Sequence, residues 1–102
     1  MTIGHGFHAT IPAQQGKGDA LVALLLEAPA LHHDDCLVFL VARSASNPDL
    51  IFLTESWSSR EAHGRFFESE IARNYTARFA PLGGGDSSYV DAVPLGGKAI
   101  LG

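Results

Sequence analysis

Cys36-Leu37-Val38-Phe39-Leu40-Val41-Ala42-Arg43 is apolar up to its last residue and shows no polar alternation. A short run of that kind predicts a strand covered on both faces. Ser44-Ala45-Ser46-Asn47-Pro48-Asp49 follows and is built of turn residues. The strand therefore pairs with the next one, Leu50 to Trp57, through a hairpin with a longish loop. In that second strand Ile51, Leu53, Glu55 and Trp57 point one way, while Phe52, Thr54 and Ser56 point the other.

Upstream, residues 3–11 alternate as a first strand, with Ile3, Phe7, Ala9 and Ile11 on one face and His8 and Thr10 on the other. His5 falls on the apolar side. Pro12 is expected to end ladder pairing, and Gln14 to Gly18 to form a loop. Asp19 is the expected cap of a helix through about Ala28, because Leu21, Leu24, Leu25 and Ala28 recur at helical spacing and Pro29 stops the run. His32-His33-Asp34-Asp35 reads as a polar connection.

Downstream, Ser58 or Ser59 caps a further helical region. Ala62, Phe66 and Phe67, then Ile71, Tyr75 and Phe79, keep helical spacing with a change of phase near Ser69, which predicts segments at about 59–69 and 71–80. Pro81 and Gly83-Gly84-Gly85 break the pattern, and the glycines read as a hinge or turn. Residues 88–95 predict a last strand, on an edge because of Pro94. Residues 96–102 predict a loose tail, or one draped over a partner.

The order is β-α-β-β-α-β, the ferredoxin-like α+β arrangement: an antiparallel sheet with helices on one face, in a single domain over residues 1–102 with its core at 3–95. Helices on one face leave the other bare, yet Cys36–Ala42 is apolar on both sides. A homodimer covering the bare face is the expected remedy. Composition agrees: residues of the AVILMFWYC group make up 46% and charged residues 18% of the 102.

The formal net charge of -4 disfavours nucleic acid as a partner. No run approaches a membrane span, and the N-terminus lacks a signal-peptide pattern, so the cytoplasm is the expected compartment. The lone Cys36 excludes an intramolecular disulfide and reads as a small buried hydrophobe. No bound metal is expected. His5 and His8 project to opposite strand faces, and His32-His33-Asp34-Asp35 has no spacing that converges on one point.

At Ile51-Phe52-Leu53-Thr54-Glu55-Ser56-Trp57-Ser58-Ser59-Arg60-Glu61-Ala62 the sequence resembles the antibiotic biosynthesis monooxygenase family, in which a strand ends Glu-x-Trp before a polar turn and a helix opening near an Ala. The likeness in order and spacing runs from the Gly16 loop to Leu82. It implies a dimeric α/β barrel with a pocket between sheet and helices. It also implies oxidation of a quinol or polycyclic phenol by O₂ with no cofactor, neither metal nor flavin. Family members often carry histidines at the positions of Phe66 and Glu70; here neither is a histidine, and His63 sits one turn earlier. Of the set used by the haem-degrading branch only Trp57 can be matched, which disfavours haem.

Trp57 is the expected orienting ring of such a pocket, or else an anchor of the core. Glu55, on the same strand face, is the candidate acceptor of a phenolic proton; the structural alternative is a partner for Arg43 or Arg78. His63 is the second candidate acid or base, or a surface residue. Phe66, Phe67 and Tyr75 are candidates for the substrate-binding wall, and equally for plain core. The alternative to an enzyme is a non-catalytic dimeric barrel that binds a small hydrophobic or aromatic ligand.

Overall fold

The computed structural model describes residues 2–102. Strands β1 (His5–Pro12), β2 (Cys36–Arg43), β3 (Leu50–Trp57) and β4 (Ser88–Asp91) form one antiparallel sheet in the order β2-β3-β1-β4. Helix α1 (Gly18–Leu25) connects β1 to β2, and α2 (Arg60–Phe67) and α3 (Glu70–Ala77) connect β3 to β4. This is the ferredoxin-like α+β fold. Among the described residues no helix is long and apolar enough to cross a membrane.

The β1–β3 register pairs Phe7 with Glu55, Ala9 with Leu53 and Ile11 with Ile51, so the alternation read in each strand lands on one common face. Leu21 and Leu25 of α1 close over Ala9, Ile51 and Leu53 to form the main core. A second cluster gathers Ala30, Trp57 and Ala62, with Cys36, Phe39 and Phe66 against it.

The ladder continues through Pro12, which pairs with Leu50, rather than ending there. Proline lacks only the N–H, and its carbonyl still accepts from Gly84. Helix α1 is not capped by Asp19. Lys17 holds the cap position with no side-chain bond, and the cap comes from far along the chain: Asp49 in the β2–β3 loop accepts from the N–H groups of Gly16 and Gly18, both at 2.9 Å. Only glycine allows this approach, since a Cβ on Gly18 would lie 1.9 Å from the Pro48 carbonyl oxygen. Asp19 faces outward and pairs with Arg43. The helix ends at Leu25, three residues early, and Pro29 opens a short 3₁₀ turn, Pro29–His32.

The phase change near Ser69 is a real break. Ser59 and Ser69 each cap a helix, accepting from the backbone N–H groups of Ala62 and Ala72. Strand β4 stops at Asp91, four residues short of expectation. It pairs only with residues 7–10 of β1, and the extra bond from the Ala92 N–H to the Gly6 carbonyl is followed by Pro94. Residues 96–102 have no regular structure and are exposed.

Within one chain β2 is an edge strand covered on a single face. Register places Val38, Leu40 and Ala42 beside Ser56, Thr54 and Phe52 on the uncovered face, with His8, Thr10 and Val90 beyond. Leu40 and Val90 are 39% and 64% exposed there.

Candidate functional site

Between the sheet and the helices lies a cavity of about 650 Å³, within the size range of small-molecule sites. Its floor is the inner sheet face, Phe7, Ile11, Phe39, Leu53 and Glu55. Leu21 and Leu25 of α1 form one wall, and His63, Phe66 and Phe67 of α2 form another. Tyr75 and Phe79 close the third side, with Tyr89 and Asp91 of β4 at the far edge. The helical spacing that puts His63, Phe66 and Phe67 on one side of α2 is the spacing visible in the sequence.

Glu55 is the buried polar point of this apolar space. It stands mid-sheet on β3, flanked by Phe7 on β1 and Phe39 on β2, and is 8% exposed. The Trp57 indole N–H donates to its Oε2 at 2.6 Å, and the Nε2 of His63 lies 3.6 Å from the same oxygen. Neither Arg43 nor Arg78 reaches it: they pair with Asp19 and Glu27. The structural alternative in that form is therefore overturned.

Burial pushes the Glu55 carboxyl above its ordinary value, although the Trp57 hydrogen bond favours the carboxylate and pulls the other way. Burial lowers His63, and charge on nearby His5 lowers it further. Both shifts run toward an uncharged carboxyl beside a neutral imidazole. A carboxyl held near that balance is suited to taking and returning a proton.

Trp57 itself does not reach the cavity. Its ring is fully buried, tilted against His33, His63 and Phe66, with each ring centre 5.1–5.2 Å away. Its place is behind Glu55, which it holds by the indole N–H. Phe66 and Tyr75 are half-buried and Phe67 is 57% exposed, all three in the wall. The Tyr75 hydroxyl donates to the Leu24 carbonyl at 2.8 Å, and burial raises its pKa. Its proton is thus committed to the backbone.

Three neighbours escaped the sequence reading. His5 faces Trp57 across the β1–β3 ladder, which brings its ring to 5.1 Å from that of His63. Its place on the apolar face was legible, but the partner needed the register. His33 is not part of a merely polar connection: its ring meets Trp57 and Phe66 while its Nδ1 accepts from the Asp35 N–H. Asp91 reaches the cavity from an edge strand that carries no site signal. Cys36 is half-buried and its thiol is pushed up to about 11 by burial and by Glu55, which leaves it inert at neutral pH. Among the described residues no three His, Cys, Asp or Glu side chains are grouped so as to hold a metal ion.

An antiparallel sheet roofed by helices over an apolar cavity with one buried carboxyl defines the class: a ferredoxin-like α+β domain with an internal cavity. Residues 5–78 match the family model for antibiotic biosynthesis monooxygenase, and the chain belongs to that family. Among solved structures it is similar to a candidate antibiotic biosynthesis monooxygenase from Chloroflexus aurantiacus J-10-fl. The two are 33% identical with a TM-score of 0.78, over 94% of this chain and 97% of that one. Proteins of the same description from Deinococcus radiodurans (23% identity, TM-score 0.74, 96% and 99% coverage) and Nitrosomonas europaea (14%, 0.79, 89% of each) share the fold. Among curated proteins none matches the sequence significantly.

Proposed function

We propose that this chain is a monooxygenase that oxidises a quinol or polycyclic phenol with O₂, using Glu55 as the proton acceptor. The observation that supports the reading best is a buried carboxyl standing in an otherwise aromatic and aliphatic cavity, with His63 and the Trp57 N–H both on the same oxygen.

An aromatic ligand packs against Phe66, Phe67 and Tyr75, and its phenolic O–H meets Glu55. Glu55 takes the proton, and the phenolate passes one electron to O₂. Superoxide and the ring radical join in a C–O bond at a ring carbon that bears hydrogen. Glu55 returns its proton to the peroxide, the O–O bond breaks, and the ring C–H is lost as a proton. The sum is phenol plus O₂ giving quinone plus water, with no outside reductant. His63 tunes the charge on Glu55, and Trp57 fixes the carboxyl's position. Exclusion of water by the apolar walls keeps the charged intermediates from side reactions.

The functional unit on this reading is a homodimer joined through the uncovered sheet face of Val38, Leu40, Phe52 and Val90. A bare apolar face of this kind is an association site. Light scattering at micromolar concentration should return about twice the 10.8 kDa chain mass.

The test of turnover is oxygen uptake with a panel of naphthols and anthraquinols, read with an oxygen electrode alongside quinone absorbance. One O₂ consumed per quinone formed is expected, and Glu55→Gln should lower kcat by roughly 10²–10⁴-fold. Tight binding across the panel with no oxygen uptake would refute the oxygenase and leave a ligand-binding module.

A further inference from the structure

The charge inventory of the cavity wall bears on what can enter it. Glu55 and Asp91 are its carboxyl groups, and His63 is its basic side chain. Among the described residues none of the seven lysines and arginines lies in the wall. Arg43 and Arg78 are engaged outside by Asp19 and Glu27. The imidazole of His63 is pressed toward its neutral form by burial and by His5. The chain as a whole carries a net charge of -4.

We infer that the cavity selects ligands that arrive uncharged, taking neutral phenols and quinols and rejecting those that bear a carboxylate. The inference rests on the proposed function and specifies its substrate class. The physical reason is conservation of charge inside the site. Proton transfer from phenol to the carboxylate form of Glu55 turns one anion into another, so the buried interior, with Asp91 at the exposed rim, carries one negative charge before and after. A ligand carboxylate would add a second, in a space with no cation to offset it and little water to solvate it. Asp91, exposed at the rim, repels the same ligand on approach, though water screens it.

The experiment is calorimetric titration at pH 7.5 with three probes of one skeleton: 2-naphthol, 6-hydroxy-2-naphthoic acid and the methyl ester of that acid. The ester matches the acid in size and lacks its charge. Naphthol and ester should bind within about threefold of each other, and the acid about tenfold or more weaker. Glu55→Gln should bring the acid-to-ester ratio toward one, because the buried group able to carry negative charge is gone. Should that variant fail to fold, titration of the unaltered protein near pH 4 gives the second arm, for the acid then arrives largely neutral and the gap should close. An acid that binds as tightly as its ester at pH 7.5 would overturn the inference and leave the phenol-binding reading standing. Failure of both naphthol and ester to bind would overturn that reading and this inference together.

Discussion

Replacing Trp57 by phenylalanine tests the arrangement that holds Glu55. The indole is fully buried between Ala30, Ala62 and Phe66, and its N–H reaches the carboxyl at 2.6 Å. Phenylalanine keeps an aromatic body but lacks the nitrogen and about two ring carbons. Those carbons are worth about 0.8 kcal/mol each, or about 1.6 kcal/mol together. A hydrogen bond to a group that carries charge contributes about 1.5–3 kcal/mol, and the lower figure suits a carboxyl that burial pushes toward its neutral form. The sum is a loss of about 3 kcal/mol, which a native domain survives. Urea denaturation followed by circular dichroism measures it, and the midpoint should fall by roughly 1–3 M for the slopes usual in small proteins.

A second readout separates the bond from the lost packing. The Trp57 N–H holds the Glu55 pKa down against burial, so the variant raises that pKa further. A carboxyl with a raised folded pKa contributes stability fully present below about 4.5, its unfolded value, and lost as pH rises toward the folded value. Trp57→Phe should therefore lose more stability than the parent protein between pH 4.5 and neutrality. A variant within about 0.5 kcal/mol of the parent, with an unchanged pH profile, would refute the role given to this indole.

Glu55→Gln keeps an oxygen for the indole but cannot ionise. It should abolish the decline with rising pH and expose the opposite His63 trend, in which stability is lost as pH falls below 6.5; denaturation curves from pH 4 to 8 show both signs. Leu25→Ala, at a side chain 2% exposed under the sheet, should cost about 3 kcal/mol by thermal or urea unfolding. Asp49→Ala removes both acceptors for the Gly16 and Gly18 N–H groups and should cost about 1–2 kcal/mol, while Asp19→Ala stays within about 0.5 kcal/mol. Phe67→Ala, at a half-exposed wall position, should leave stability within about 0.5 kcal/mol yet weaken naphthol binding in the titration.

The strand faces were legible because the register carries each alternation onto one side: Ile51, Leu53, Glu55 and Trp57 share the inner face as their spacing predicts. The break at Ser69 was legible in the change of apolar phase there; that the serine caps the next helix is seen only in the structure. Long-range substitutions were not. Asp19 has the right residue type and position for a cap, and nothing local reveals that Asp49, some thirty residues on, takes the task. The site divides the same way. Glu55 and His63 could be chosen from face and helix phase, but their meeting at one oxygen depends on the angle at which α2 leaves β3. His33 joined the cluster because Asp35 is tied to Ser58, through the Ser58 N–H and hydroxyl, which draws the connection against the end of β3. Local sequence records none of that.

The Asp49 bonds also alter how the 44–49 loop should be regarded by anyone wishing to graft onto this scaffold. By composition it is the obvious place for an insertion: exposed, rich in serine, and bounded by two regular strands. Lengthening an exposed loop is ordinarily cheap, since the entropy of closure grows slowly with length. Here the loop is a fastening, with the Pro48 carbonyl packed onto Gly18 and the Asp49 carboxylate seated on the helix start. Added residues beside Asp49 would unseat α1, and with it the Leu21 and Leu25 wall of the cavity. The segment at 96–102, which makes no such bond, is the place where a graft leaves the molecule undisturbed.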